Sequence, residues 1–169
     1  MIPRVRVARD DDWPAIREVH RAAFGGEGDD VVRLIDELRA EPSLFVADLS
    51  FVSMSGNVVA GHVMNTWNRV GDTPVLQFSP LGVLPEHQRQ GHGSALVRAS
   101  VEAVRVRGEP ALILEGNPAY YERFGFVRAD ELGLLPPPEA LHDSAFQVAV
   151  LDEARLPQGQ VQYSSPFRR

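Results

Sequence analysis

The chain has 169 residues, 44% of them hydrophobic, which suits one domain with an ordinary core. A formal net charge of −6 argues against a general nucleic-acid binder, which needs a basic face. There is no cysteine, so disulfides, thiolate zinc sites and a cysteine nucleophile are excluded. Residues 1–13 lack the apolar core of a signal peptide, and no apolar run approaches the ~20 residues that span a bilayer. The expectation is a cytoplasmic protein with no membrane or nucleic-acid partner.

Residues 4–9 alternate charged and apolar side chains (Arg4, Val5, Arg6, Val7), a half-buried strand signal. Asp10, Asp11 and Asp12 supply carboxylates to the start of a helix, and Pro14 is tolerated in its first turn. Trp13, Ile16, Val19, Ala23 and Phe24 fall on one face of that helix. Gly25, Gly26 and Gly28 make a flexible break around Glu27. A second helix follows, with an inner stripe of Val31, Leu34, Ile35 and Leu38, and Pro42 ends it. Strand runs are predicted over 44–52, 58–67 and 75–83. Ser55-Gly56-Asn57 forms a hairpin turn and Gly71-Asp72 the next connection. Pro80 sits inside the third run. Proline cannot donate to a ladder, so a bulge or a parting of strands is expected there. A long, largely buried helix spans 94–107, with Gly108 as its C-cap. A short central strand covers 111–115, and Asn117-Pro118 starts a short helix to Phe124. Residues 130–144, with three consecutive prolines, read as an excursion. A last strand covers 145–151. The polar tail could dock an edge through Val161, Tyr163 and Phe167.

Residues 81–95, LGVLPEHQRQGHGSA, carry most of the functional argument. They read as strand, tight loop and helix start. A helix start offers unpaired N–H groups and a positive dipole end, so it binds anions. Gly91 and Gly93 let the backbone approach a phosphate. No lysine precedes Ser94, which excludes a P-loop, and the three glycines of the dinucleotide fingerprint are absent. What remains is Gln88-x-x-Gly91-x-Gly93.

This pattern resembles the acyl-CoA-binding motif of the GCN5-related N-acetyltransferase (GNAT) superfamily. A second motif fits the same family: Asn117, then Tyr121, Gly125 and Phe126 in the form Tyr-x-x-x-Gly-Phe. PAYYERFGF, with SPLGV upstream, is most similar to the YhbS-like bacterial branch, and the resemblance covers about residues 3–151. Arg89 stands where many members have glycine, and His92 where many have isoleucine or leucine. The resemblance implies an α/β (α+β) fold. A mixed sheet of six to seven strands, splayed at a bulge near Pro80, is flanked by about four helices. Residues 1–151 would form the acetyltransferase domain and 152–169 a tail docked on it. It also implies acetyl-CoA as cosubstrate, held by Leu81, Val83, Gln88, Arg89, Gln90, Gly91, His92, Gly93, Ser94 and Asn117. The acceptor would be a small-molecule or peptide amine, and the assembly a homodimer. A non-catalytic acyl-CoA-binding or regulatory domain is the alternative.

Direct transfer from a thioester to an amine needs a neutral amine, a stabilised carbonyl oxygen and a proton for the departing thiolate. Tyr121 holds the motif's tyrosine position and is the candidate acid, since a phenol of pKa about 10 is protonated at neutral pH. Packing is its alternative role. Glu115, at a central strand end, is the candidate base, with an ion pair or a solvent-facing strand end as the alternative. Glu27 could hold a cationic amine, or be an ordinary loop charge. His20 lies in the apolar arc of the first helix and reads as a satisfied buried side chain. His20, His62, His87, His92 and His142 are scattered, so no metal is expected.

Overall fold

The computed structural model describes residues 2–168. Strand β1 (Arg4–Val7) leads into α1 (Trp13–Phe24) and α2 (Gly28–Ala40). A meander follows: β2 (Phe45–Ser55), β3 (Val58–Val70) and β4 (Thr73–Val83). Then come α3 (His92–Val106), β5 (Ala111–Glu115), α4 (Pro118–Tyr121), β6 (Phe126–Arg128), β7 (Leu134–Leu135), β8 (Phe146–Val150) and β9 (Gly159–Gln162). The sheet order is β1-β2-β3-β4-β5-β8-β6, with β9 added to the end of β3 and pairing β7. All pairs along that order are antiparallel except β4–β5.

The two hairpins close as the turn residues require. Ser55 pairs Val58 across Gly56-Asn57, and Val70 pairs Thr73 across Gly71-Asp72. Gly56 and Gly71 take left-handed φ of 59° and 60°, the conformation that favours glycine in such loops. At the end of α3, Gly108 donates to the Arg105 carbonyl and Glu109 to that of Val104. This is the Schellman arrangement that an αL glycine permits.

The expected splay is present. β4 pairs β5 only through Leu76–Leu112 and Gln77–Ile113. Towards β3 the register runs Val63–Leu81, then Asn65–Phe78, so Ser79 and Pro80 together stand opposite Met64. This is a bulge, as expected where proline removes a ladder donor. Beyond it one edge of β4 lies open.

Alternation along the strands sorts the core. Leu76, Phe78, Leu112 and Leu114 face α3, against Leu96, Val97 and Val104. On the other face, Val52, Val59 and Met64 pack against Trp13, Ile16 and Val19 of α1 and Ile35 and Leu38 of α2. Val75, Ile113, Val148 and Phe146 are covered by Val161 and Tyr163 of the C-terminal segment.

Several expectations need adjustment. In α2 the deepest residues are Val32, Ile35 and Leu38, with Val31 and Leu34 half-buried. Val106 on α3 is exposed. β6 and β7 are strands where no strand was expected. β9 turns part of the predicted polar tail into sheet, with Val161 and Tyr163 buried as anticipated.

Candidate active site

Backbone direction decides what the open edge of β4 offers. The Leu84 N–H donates to the Ala60 carbonyl of β3 at 2.8 Å. Successive residues of a strand point their polar groups to opposite edges, so Leu81 and Val83 face the side that β5 has left. The Val83 carbonyl there accepts the Gln88 side-chain amide at 3.2 Å. The motif glutamine thus braces the turn out of β4.

The loop that follows is shaped for close approach. Gly91 is the N-cap of α3, with φ 90°. Arg89 has φ 62° and is the one non-glycine with positive φ among the described residues. That conformation is costly for a side chain and free for glycine, which explains why many members place glycine there. Gly93 has no room to spare: an added Cβ would sit 3.2 Å from the Tyr120 hydroxyl. A cleft of about 550 Å³ results, lined by Leu81–Val83, His87–Arg89, Gly91–Ser94, Ala23, Phe24, Tyr120 and Arg123. Its floor is the open edge of β4, and one end is the N-terminus of a four-turn helix.

Gln90 does not line this cleft. Its side chain turns back to the Glu86 carbonyl at 3.1 Å and borders a separate cavity by Pro3 and Asn57. His92 is buried, with Nδ1 3.0 Å from the Ser53 hydroxyl, and burial lowers its pKa. Asn117 caps α4 by accepting the Ala119 N–H at 3.0 Å, and it is not among the residues that line the cleft.

The two tyrosines take different places. Tyr120 is on the cleft wall, its hydroxyl 3.3 Å from that of Ser94. Tyr121 packs behind it, edge-on to Tyr120 (4.9 Å between ring centroids), Phe126 (5.8 Å) and Phe78 (6.2 Å). Burial pushes its phenol up to about 12. Its hydroxyl makes no hydrogen bond among the described residues. The ring lies flush on Gly116, where a Cβ would come 2.4 Å from Cε2. Gly116→Ala should therefore force the ring or strand end to move. A destabilisation of about 1–3 kcal/mol is expected by urea unfolding, as for an overpacked core. Unchanged stability would show that Tyr121 is loosely held.

Glu115 lies on the sheet face away from α3. It accepts a hydrogen bond from the Tyr163 hydroxyl of the C-terminal segment. Burial, with the hydrogen bond and charge of Glu115, holds the Tyr163 phenol well above its ordinary range. The same segment is pinned by Asn68, which accepts the Ser164 N–H at 2.6 Å and donates to Gln77. Sequence reasoning passed over Tyr163 as a partner for Glu115. Its only signal was the Val161, Tyr163 alternation. Glu27 stands outside the cleft, on a cavity of about 470 Å³ with Asp30, Val31, Leu34 and Phe167.

Two pairs of histidines meet in space, His20 with His62 and His87 with His92, while His142 stands apart from them. His20 Nε2 is 2.8 Å from His62 Nδ1, and His62 Nε2 is 2.9 Å from the Ser50 hydroxyl. Both rings are wholly buried beneath β4. His20 Nδ1 has no partner among the described residues, and a Cβ on Gly82 would lie 2.8 Å from it. Burial pushes the His20 pKa down to about 4, and burial with the facing His20 holds His62 well below its usual range. A lowered folded pKa means the fold prefers the neutral ring. Stability is thus full above the unfolded value of about 6.5 and lost as pH falls towards the folded value. For His20 alone the loss between pH 7 and 4 is roughly 3 kcal/mol. Urea unfolding at stepped pH should show this slope, and the His20→Gln/His62→Gln variant should flatten it. Equal slopes in both proteins would contradict the assignment. Among the described residues no group of three or more His, Cys, Asp or Glu is placed to hold a metal ion. No helix there is long and apolar enough to cross a membrane.

Comparison with known proteins agrees with this geometry. The chain is 33% identical over 121 residues to the uncharacterized N-acetyltransferase YjhQ of Escherichia coli (strain K12), which covers 68% of this chain and 64% of that protein. It is 30% identical over 171 residues to the uncharacterized N-acetyltransferase YhbS of the same strain, covering 98% of both. The crystal structure of E. coli YhbS in complex with CoA superposes with a TM-score of 0.87 at 28% identity, over 100% of this chain and 93% of that one. A GNAT family acetyltransferase from Brucella melitensis, in complex with acetyl-CoA, gives 0.78 at 28% identity, over 98% and 97%. The profile of the acetyltransferase (GNAT) domain matches residues 4–129, and the chain belongs to that family.

Proposed function

We propose that this protein transfers the acetyl group of acetyl-CoA directly to a primary amine of a small molecule or peptide. The observation that carries this reading is the open edge of β4 running into the glycine-capped N-terminus of α3. An extended, amide-containing arm ending in a pyrophosphate matches that surface. Leu81 and Val83 offer main-chain groups to the arm, and the N–H groups of residues 89–94 face the phosphates. The YhbS and Brucella structures, with CoA and acetyl-CoA, support it.

In the transfer a carbon–nitrogen bond forms and the carbon–sulfur bond breaks. Tyr121, whose ring meets Phe78 of β4 and Gly116 beyond β5 where those strands part, gives its phenolic proton to the departing sulfur and regains one from solvent. Glu115, held by Tyr163, takes a proton from the amine directly or through water. Glu27 attracts a cationic acceptor on the α2 side, where the neighbouring Asp30 is already paired with Arg33. The rival reading is a domain that binds acyl-CoA without turnover. The observation on its side is that Glu115 is already engaged by Tyr163. Calorimetry with acetyl-CoA tests the shared first step. One molecule bound per chain is expected, and absence of binding would remove both readings.

A further inference from the structure

Two arginines beside the cleft have no place in that reading. Arg98 lies on α3 four residues after Ser94, so the two share one helix face about 6 Å apart along the axis. Tyr120 and Phe124 repeat that spacing opposite them, with ring centroids 5.4 Å apart. Tyr120 meets Ser94, and the Arg98 guanidinium lies 5.0 Å over the Phe124 ring. Arg123 stands between, 4.8 Å over Tyr120 and 5.8 Å from Phe124. It lines the cofactor cleft and also a shallower cavity of about 370 Å³ that holds Arg98 and Phe124.

Neither guanidinium forms an ion pair among the described residues, whereas Arg105, further along α3, pairs with Glu102 at 3.3 Å. Arg123 uses only Nε, donating to the Tyr120 carbonyl at 3.0 Å. Both guanidinium groups rest over aromatic rings, and most of their donors are unused among the described residues. In a chain of net charge −6, two cations without an ion pair next to an anion-binding helix end suit a multiply charged anion.

We propose that Arg98 and Arg123 clamp the 3′-phosphate of the coenzyme, so that this protein selects CoA thioesters over their dephospho forms. The proposal rests on the acyl-CoA reading above. A coenzyme whose pyrophosphate lies at Ser94 carries its next phosphate one ribose away. One helical turn along α3 is where the two arginines stand. A forked guanidinium suits a phosphate monoester, which presents several acceptor oxygens at once.

Calorimetry with CoA and dephospho-CoA on the full chain tests this. The wild type should bind CoA at least about tenfold more tightly, the effect of one charge-assisted hydrogen bond or more. The preference should shrink as salt is raised. In Arg98→Gln/Arg123→Gln, the ratio of CoA to dephospho-CoA affinity should fall to about one. Both positions are exposed, so the variant keeps its fold, and circular dichroism checks that. Equal binding of the two ligands by the wild type, or a preference kept by the variant, overturns the clamp and leaves the acyl-CoA reading standing. Failure of both ligands to bind overturns the two together.

Discussion

Tyr121→Phe is expected to lower turnover roughly 10²–10⁴-fold, the range for a positioned acid, while CoA affinity stays close to wild type. The substitution keeps a ring that packs on Phe78, Tyr120 and Phe126 and removes only the hydroxyl. That hydroxyl has no hydrogen bond to lose among the described residues, and its raised pKa keeps it protonated well above neutral pH. The loss should diminish for acyl donors with more acidic thiols, which need protonation less. Tyr120→Phe is the control, because its hydroxyl faces Ser94 on the cleft wall. Turnover near the wild-type level is expected for it. Full activity in Tyr121→Phe would falsify the assignment and pass the role to Tyr120 or to water.

Gly93→Asp and Gly91→Asp should each weaken CoA binding by about tenfold or more. A helix N-terminus stabilises an anion by roughly 0.3–2 kcal/mol, and a carboxylate built there takes the place of the phosphate and repels it. Gly93→Asp adds a clash with the Tyr120 hydroxyl. Gly91→Asp adds backbone strain at φ 90°. Calorimetry on both variants decides the matter, since unchanged affinity in both would place the cofactor elsewhere.

Local patterns in the chain carried much of this site. The Gln88-x-x-Gly91-x-Gly93 spacing, the helix behind it and the proline in β4 are all local. Together they anticipated the glycine-capped helix start and the parting of β4 from β5. The Tyr121 register is equally local, yet only packing distinguishes its buried ring from the cleft-lining Tyr120. What stayed hidden depends on contacts between distant segments. Glu115 and Tyr163 lie 48 residues apart and His20 and His62 lie 42 apart. No period in either stretch announces such a pair. β6 and β7, at three and two residues, are too short for alternation to register, and tertiary pairing makes them strands.

Acetyl transfer is tested by incubating the protein with acetyl-CoA and a panel of primary amines, including diamines and short peptides. Free thiol is followed as it appears, and the amines are then examined by mass spectrometry. Thiol release should depend on one class of amine, with one acetylated amine formed per thiol freed. Tight acetyl-CoA binding with no amine-dependent thiol release across the panel would contradict acetyl transfer and favour a domain that only binds.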